Sequence, residues 1–230
     1  MSVVSGSFRN RVRATVEAPV ARVFARTGLT PNALTLIGFA ISIVGAYLAA
    51  TQSWLLAGLV VALGSVFDLF DGALARATNK TSKFGAFMDS TFDRAGEAVV
   101  YIGIAAGFLA VPYAFGAVVA TAALAASMMV SYTRAKSESL GFGAGTGMAN
   151  IGVAPREVRM AILVFGLIAA SALGAFNPIW CVVGPCPALL GAGGQVLAWS
   201  LALITVLATV TTIQRIVFVY RQSKSQEVND

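Results

Sequence analysis

The sequence predicts an all-α integral membrane protein, a six-helix bundle with an N-terminal interfacial amphipathic helix. Three observations predict it. The 230 residues are 57% hydrophobic and 11% charged, with mean hydropathy +0.80, whereas a soluble domain carries about 25% charged residues. Six apolar stretches approach the roughly 20 residues needed to cross hydrocarbon: 33–50, 54–74, 87–111, 112–133, 158–176 and 196–220. The lysines and arginines gather at alternate connections between those stretches. Open strands would leave backbone groups unsatisfied in lipid, so the spans are helices.

Taken in order, residues 1–28 come first. Phe8, Val12, Val16, Val20, Val23 and Phe24 recur at near-helical spacing with arginines between them, the pattern of a helix lying in the cytoplasmic interface. A cleaved leader is not expected, because the first apolar stretch starts late and five more follow it. Residues 29–222 form the six-span domain and 223–230 a polar tail.

Orientation follows from charge. Five arginines precede the first span (Arg9, Arg11, Arg13, Arg22, Arg26), and Arg76, Lys80, Lys83 and Arg94 surround the second connection. Arg134, Lys136, Arg156 and Arg159 surround the fourth, while Arg215, Arg221 and Lys224 lie at the C-terminal end, which accounts for all 16. The connections near 51–53, 111–112 and 177–195 carry no charge. Both termini are therefore expected in the cytoplasm, at a cell (inner) membrane. This placement also assigns the net charge of +6 to lipid head groups or a phosphorylated substrate, not to nucleic acid.

Smaller signals fall between the spans. Gly141, Gly143, Gly145 and Gly147 predict a mobile cytoplasmic loop and no dinucleotide fingerprint, because no strand precedes them. Gly103 and Gly107 form a step that lets helices approach closely, either within one chain or at a dimer seam. Cys181 and Cys186 fall in an outer loop, bridged or inert.

Composition restricts the chemistry. The chain has no histidine and two cysteines, so imidazole bases, histidine-activated nucleophiles, four-cysteine zinc sites and iron–sulfur cages are excluded. Carboxylates, hydroxyls, lysines and arginines remain.

The carboxylates stand where lipid penalises them. Asp68 and Asp71 close the second span and Asp89 and Asp93 open the third. With a rotation of about 100° per residue, each pair shares a helix face. The chain reverses between the pairs, so both can reach one depth near the cytoplasmic boundary. Four such groups repel one another unless a cation intervenes. Hard oxygen ligands suit two magnesium or manganese ions, about 3.5–4 Å apart in phosphoryl chemistry. Gly72 and Ala75 leave room for a ring or diphosphate beside the backbone, and Arg76 is placed to meet phosphate oxygens. Intramembrane carboxylates also line ion paths, so a cation-coupled transporter is the alternative from another class.

The string Asp68-x2-Asp71-Gly72-x2-Ala75-Arg76-x8-Gly85-x3-Asp89-x3-Asp93 resembles the complete signature of the CDP-alcohol phosphotransferases. Six spans behind an interfacial helix are also the architecture of that family. The resemblance implies transfer of a phosphatidyl-type group from a CDP-linked lipid to an alcohol, with release of CMP. It implies that Asp68, Asp71, Asp89 and Asp93 ligate two ions and that Asp93 takes the hydroxyl proton. It further implies that Pro31, Asn32, Gly72, Ala75, Arg76, Ser82 and Gly85 hold the CDP-lipid, and that the protein is a homodimer. Read without the resemblance, Asn32 is a helix N-cap.

For the acceptor, Asp89-Ser-Thr-Phe-Asp93-Arg94 is similar to the prokaryotic phosphatidylinositol-phosphate synthases. Ser131-Tyr-Thr-Arg134-Ala-Lys136 resembles their Ser-Tyr-x-Lys-x-Arg with the basic residues exchanged. Arg156-Glu-Val-Arg159 resembles their Arg-Pro-x-Arg, and Gln214-Arg215 their last-span Gln-Arg. The implied acceptor is a phosphorylated polyol, most similar to inositol phosphate, contacted by Arg134, Lys136, Arg156, Arg159 and Arg215. The donor is CDP-diacylglycerol or a CDP-ether lipid. Glycerol phosphate is the alternative acceptor.

Overall fold

The computed structural model describes residues 29–77, 81–111, 113–142, 151–174 and 191–227; at positions 69, 71–73, 75–77 and 227 it describes the backbone alone. Among the described residues lie six helices and no strand. They are α1 (Pro31–Ala50), α2 (Trp54–Ala77), α3 (Lys83–Ala110), α4 (Ala114–Ser139), α5 (Arg156–Ala172) and α6 (Ala192–Glu227). The expected amphipathic segment 1–28, the loop glycines 143–147 and both cysteines lie outside the described residues.

Local chemistry sets the boundaries. The Thr30 side chain accepts a hydrogen bond from the Ala33 amide at 3.2 Å, and Pro31 follows in the first turn. Proline is preorganised there and has no N–H to leave unpaired. Thr30 is thus the N-cap of α1, and the expectation that Asn32 caps it is corrected. A three-residue turn through Gln52 (φ 63°) leads into α2. Ser82 caps α3 by accepting from the Gly85 amide at 2.9 Å. Val111, extended at φ −110° and ψ 138°, ends α3 because Pro112 disfavours a helical residue before it.

The helices close into a ring. Around it α1 packs on α2, α2 on α5, α5 on α6, α6 on α4, α4 on α3 and α3 on α1. Although consecutive in sequence, α2 and α3 touch only slightly. Tyr101, Ile104 and Phe108 of α3, Leu163 and Leu167 of α5, and Leu197, Leu201 and Ile204 of α6 form the fully buried centre. On α3, Gly103 and Gly107 lie against Ala46 and Ala49 of α1, where any Cβ would overlap a backbone carbonyl. The glycine step therefore serves packing within the chain.

The outside is apolar. Trp199 is 72% exposed and Tyr47 68%, among many large exposed hydrophobics, far beyond the patches a soluble monomer tolerates. Helices α1, α4 and α6 are each long and apolar enough to cross a membrane. At about 1.5 Å per residue, α6 runs roughly 54 Å and outreaches the hydrocarbon core. Charged residues inside the bundle lie on α2, α3 and α5, with Arg215 on α6. Helices α2, α3 and α5 surround the site.

Candidate active site

The site lies where α2, α3 and the first turn of α5 meet. Asp68 faces inward beside Gly38 of α1, so closely that a Cβ at position 38 would sit 2.8 Å from its Oδ1. On α3, Asp89, Asp93 and Glu97 follow at four-residue intervals and share a face. Arg156, the first residue of α5, reaches across to both aspartates. Its Nη2 donates to Asp68 Oδ2 at 2.6 Å, and its Nη1 lies 3.0 Å from Asp93 Oδ1. The other Asp93 oxygen is 3.6 Å from Arg94 Nη1, which also donates to the Ser90 carbonyl.

Each partner in this bridge keeps a small exposed fraction: 17% of the Asp68 side chain, 18% of Asp93 and 24% of Arg156. Burial by itself disfavours the Arg156 charge, but the Asp93 and Asp68 carboxylates outweigh it and raise its pKa. The guanidinium therefore stays protonated. Its buried Nε has no hydrogen-bond partner among the described residues.

Below this lies a closed pair. Arg159 Nε and Nη2 meet both oxygens of Glu97 at 3.0 and 2.9 Å, and Arg159 Nη1 donates to the Ala154 carbonyl at 3.0 Å. Both side chains are 1% exposed. Arg215 is buried too, donating to the Ile151 carbonyl at 3.0 Å and to the Val130 carbonyl.

The structure places some of the expected residues together. Asn32 meets the start of α3, since a Cβ on Gly85 would lie 3.4 Å from Asn32 Oδ1 and 3.1 Å from Ser82 Oγ. Pro31, Asn32, Ser82 and Gly85 thus form one rim. Asp71, Gly72, Ala75 and Arg76 continue α2 past Asp68, and their side chains lie outside those described. Among the described residues no three carboxylates gather at metal-binding distance.

The expected acceptor arginines separate into two kinds. Arg156 joins Asp68 and Asp93, while half-exposed Arg134 is ion-paired with Glu138 at 2.9 Å, near exposed Lys136. Arg159 and Arg215 commit their donors to Glu97 and to backbone carbonyls, and their burial separates them from the partly exposed Arg156. Glu97 and Gly38 are additions. For Glu97 a signal was present, an acidic residue one turn beyond Asp93 on the same face.

The family model described as CDP-alcohol phosphatidyltransferase matches residues 28–183, which include Asp68, Asp93 and Arg156. This chain belongs to that family. Among its relatives, the archaetidylinositol phosphate synthase of Pyrococcus horikoshii is 41% identical over 171 residues, 73% of this chain and 86% of the relative. The phosphatidylinositol phosphate synthase of Cutibacterium acnes is 33% identical over 216 residues, 92% and 96%. The crystal structure of Mycobacterium tuberculosis phosphatidylinositol phosphate synthase with CDP-DAG bound superposes with TM-score 0.70 at 26% identity, covering 89% of this chain and 94% of that one. The same enzyme in complex with manganese and citrate gives 0.69 at 27% identity, covering 89% of each.

Family membership gives a context for the partly exposed charged cluster that joins α2, α3 and α5. Two of the four signature aspartates, from different helices, here share a single cation, Arg156. Converging carboxylate oxygens are the donors a hard metal ion prefers, and here the Arg156 guanidinium supplies the positive charge between Asp68 and Asp93.

Proposed function

We propose that this chain joins a CDP-diacylglycerol or CDP-ether lipid to a phosphorylated polyol, inositol phosphate in first place, and releases CMP. The observation that carries the reading is the convergence of Asp68 and Asp93 on Arg156 at 2.6 and 3.0 Å. Relatives named for both phosphatidylinositol phosphate and archaetidylinositol phosphate support the inositol acceptor and leave both donor classes in play.

In this reading Asp68, Asp71, Asp89 and Asp93 hold the metal. When bound, two magnesium or manganese ions supply charge neutralisation at the diphosphate and at the departing CMP oxygen. Asp93 accepts the proton of the acceptor hydroxyl as its oxygen attacks the lipid-bearing phosphorus and the bond to CMP breaks. A carboxylate takes this role because the chain has no histidine. Pro31, Asn32, Ser82 and Gly85 line the CDP end with Gly72, Ala75 and Arg76. Arg156 faces the acceptor phosphate, and Arg134 and Lys136 guide it inward. Arg159 and Arg215 support them from behind.

The membrane placement belongs to the same proposal. All six helices span, both termini and the site face the cytoplasm, and the enzyme works as a homodimer in a prokaryotic cell membrane. Residues 1–28 lie in the interface, 29–222 form the catalytic domain and 223–230 are a polar tail. The dimer seam is not the Gly103–Gly107 step, which α1 already covers.

The test is CMP release from purified protein given CDP-diacylglycerol or its ether analogue, with inositol phosphate and glycerol phosphate in turn. Release with inositol phosphate is expected. Release with glycerol phosphate alone would change the acceptor, and none with any pair would remove the reaction.

A further inference from the structure

Helices α3 and α5 are not neighbours in the ring, yet two ion-pair rungs join them across its interior. The first is Asp93–Arg156, partly open to solvent; the second, one turn deeper on both helices, is the sealed Glu97–Arg159 pair. The deeper rung is fully engaged. Glu97 receives two bonds from Arg159, and the third Arg159 bond goes to the Ala154 carbonyl, just before the Pro155–Arg156 entry to α5.

The same short segment is held from α6. Arg215 donates to the Ile151 carbonyl, and Thr211 Oγ1 accepts from the Ala154 amide at 3.0 Å. Gly152, at φ +122°, lies so close to Thr211 that a Cβ would strike its methyl. Three side chains therefore fix the backbone immediately before Arg156.

A sealed ion pair is a poor way to hold a bundle together, because apolar residues of similar volume often match or exceed its stability. What the fork does provide is a defined spacing and rotation between two helices. Those are the coordinates that set the distance from Arg156 to Asp93.

We infer that Glu97 and Arg159 are positioning residues for the acceptor side of the reaction: their buried fork sets α5 against α3 so that Arg156 meets the acceptor phosphate beside Asp93. The inference rests on the proposed function for the identity of the acceptor. In the proposed function the CDP contacts come from α1, α2 and the first turn of α3, more than three turns before Glu97.

The experiment is the double variant Glu97→Met/Arg159→Met, with Arg159→Lys as its companion. Lysine keeps the charge but cannot bond Glu97 twice and Ala154 as well. The expected result is a monodisperse double variant melting near wild type, with the KM for the phosphorylated acceptor raised about tenfold or more and the donor KM unchanged. Arg159→Lys should show a smaller rise of the same kind. Hydrogen exchange at residues 151–158 should quicken in both while that of α6 stays at the wild-type rate. If the double variant does not fold, Arg159→Lys decides by the same criteria. Unchanged acceptor KM and unchanged exchange in a folded variant would overturn the inference. Wild-type protein that releases no CMP would overturn the reaction instead, and the exchange rates would still decide whether the fork positions the segment.

Discussion

Replacing Arg156 with glutamine removes the guanidinium that Asp68 and Asp93 share. In wild type it bonds Asp68 at 2.6 Å and Asp93 at 3.0 Å, with less than a quarter of any of the three side chains exposed. Glutamine is two bonds shorter and neutral, so two largely buried carboxylates would face each other without the counter-charge they now share. Removing one partner of a fully buried pair costs about 3–5 kcal/mol, whereas an exposed pair contributes about 0–1. The residual exposure and the nearby Arg94 place this site below the upper range, at about 2–3 kcal/mol. For a chain of this length, about 2–4 °C per kcal/mol translates that into a fall of roughly 4–12 °C in melting temperature. The assay is thermal unfolding in detergent with a chelator present. A second arm adds manganese, which is expected to recover most of the loss because a cation again stands between the carboxylates. If the variant melts with wild type in chelator, Arg156 does not neutralise Asp68 and Asp93, and the reasoning from that ion pair falls.

Asp93→Asn should remain folded and lose CMP release by about 10²–10⁴-fold, the range expected for removal of a general base; near-normal turnover would exclude Asp93 from that role. Chelation should stop CMP release, with magnesium or manganese restoring it and calcium failing to, since its longer ligand distances suit looser sites. Gly38→Val should slow turnover at an unchanged detergent-solubilised yield, because its side chain would occupy the space beside Asp68 Oδ1. Gly103→Leu should instead lower the melting temperature, by an overpacking cost of about 1–3 kcal/mol, since leucine there would collide with the Ala46 backbone of α1.

The helical content was legible because lipid leaves few options, and the apolar stretches mark the helices to within about two turns. The third stretch, expected from residue 87, begins at Lys83 in the structure because Ser82 supplies a cap that hydropathy does not register. At α1 the cap moved from Asn32 to Thr30, since proline favours the first helical position and the cap must precede it. The carboxylate pairs were legible for a different reason. Four acidic residues at helical spacing beside hydrocarbon-length segments are costly, so their spacing carries information by itself.

Pairing across helices left weaker marks in the sequence. Arg156 and Arg159 lie three residues apart at the start of α5, and sequence alone treats them as two members of one phosphate-binding group. In the folded chain the first meets Asp68 and Asp93 with part of its side chain exposed, and the second is sealed against Glu97. The difference comes from ring order: α5 enters beside α2, opposite α3, so its first turn reaches Asp68 and Asp93 and its next reaches one turn deeper on α3. No local pattern encodes that order. Yet the requirement it meets was visible in outline, because Glu97 is an acidic residue inside a span and needs a partner there. Extending the aspartate face of α3 by one more turn and asking which cation could reach it would have pointed to the arginines of α5. Buried charges in a membrane bundle are thus best read as two sets to be matched between helices. The matched pair left without a place in the chemistry, here Glu97 and Arg159, is the one that defines how the reacting groups are held.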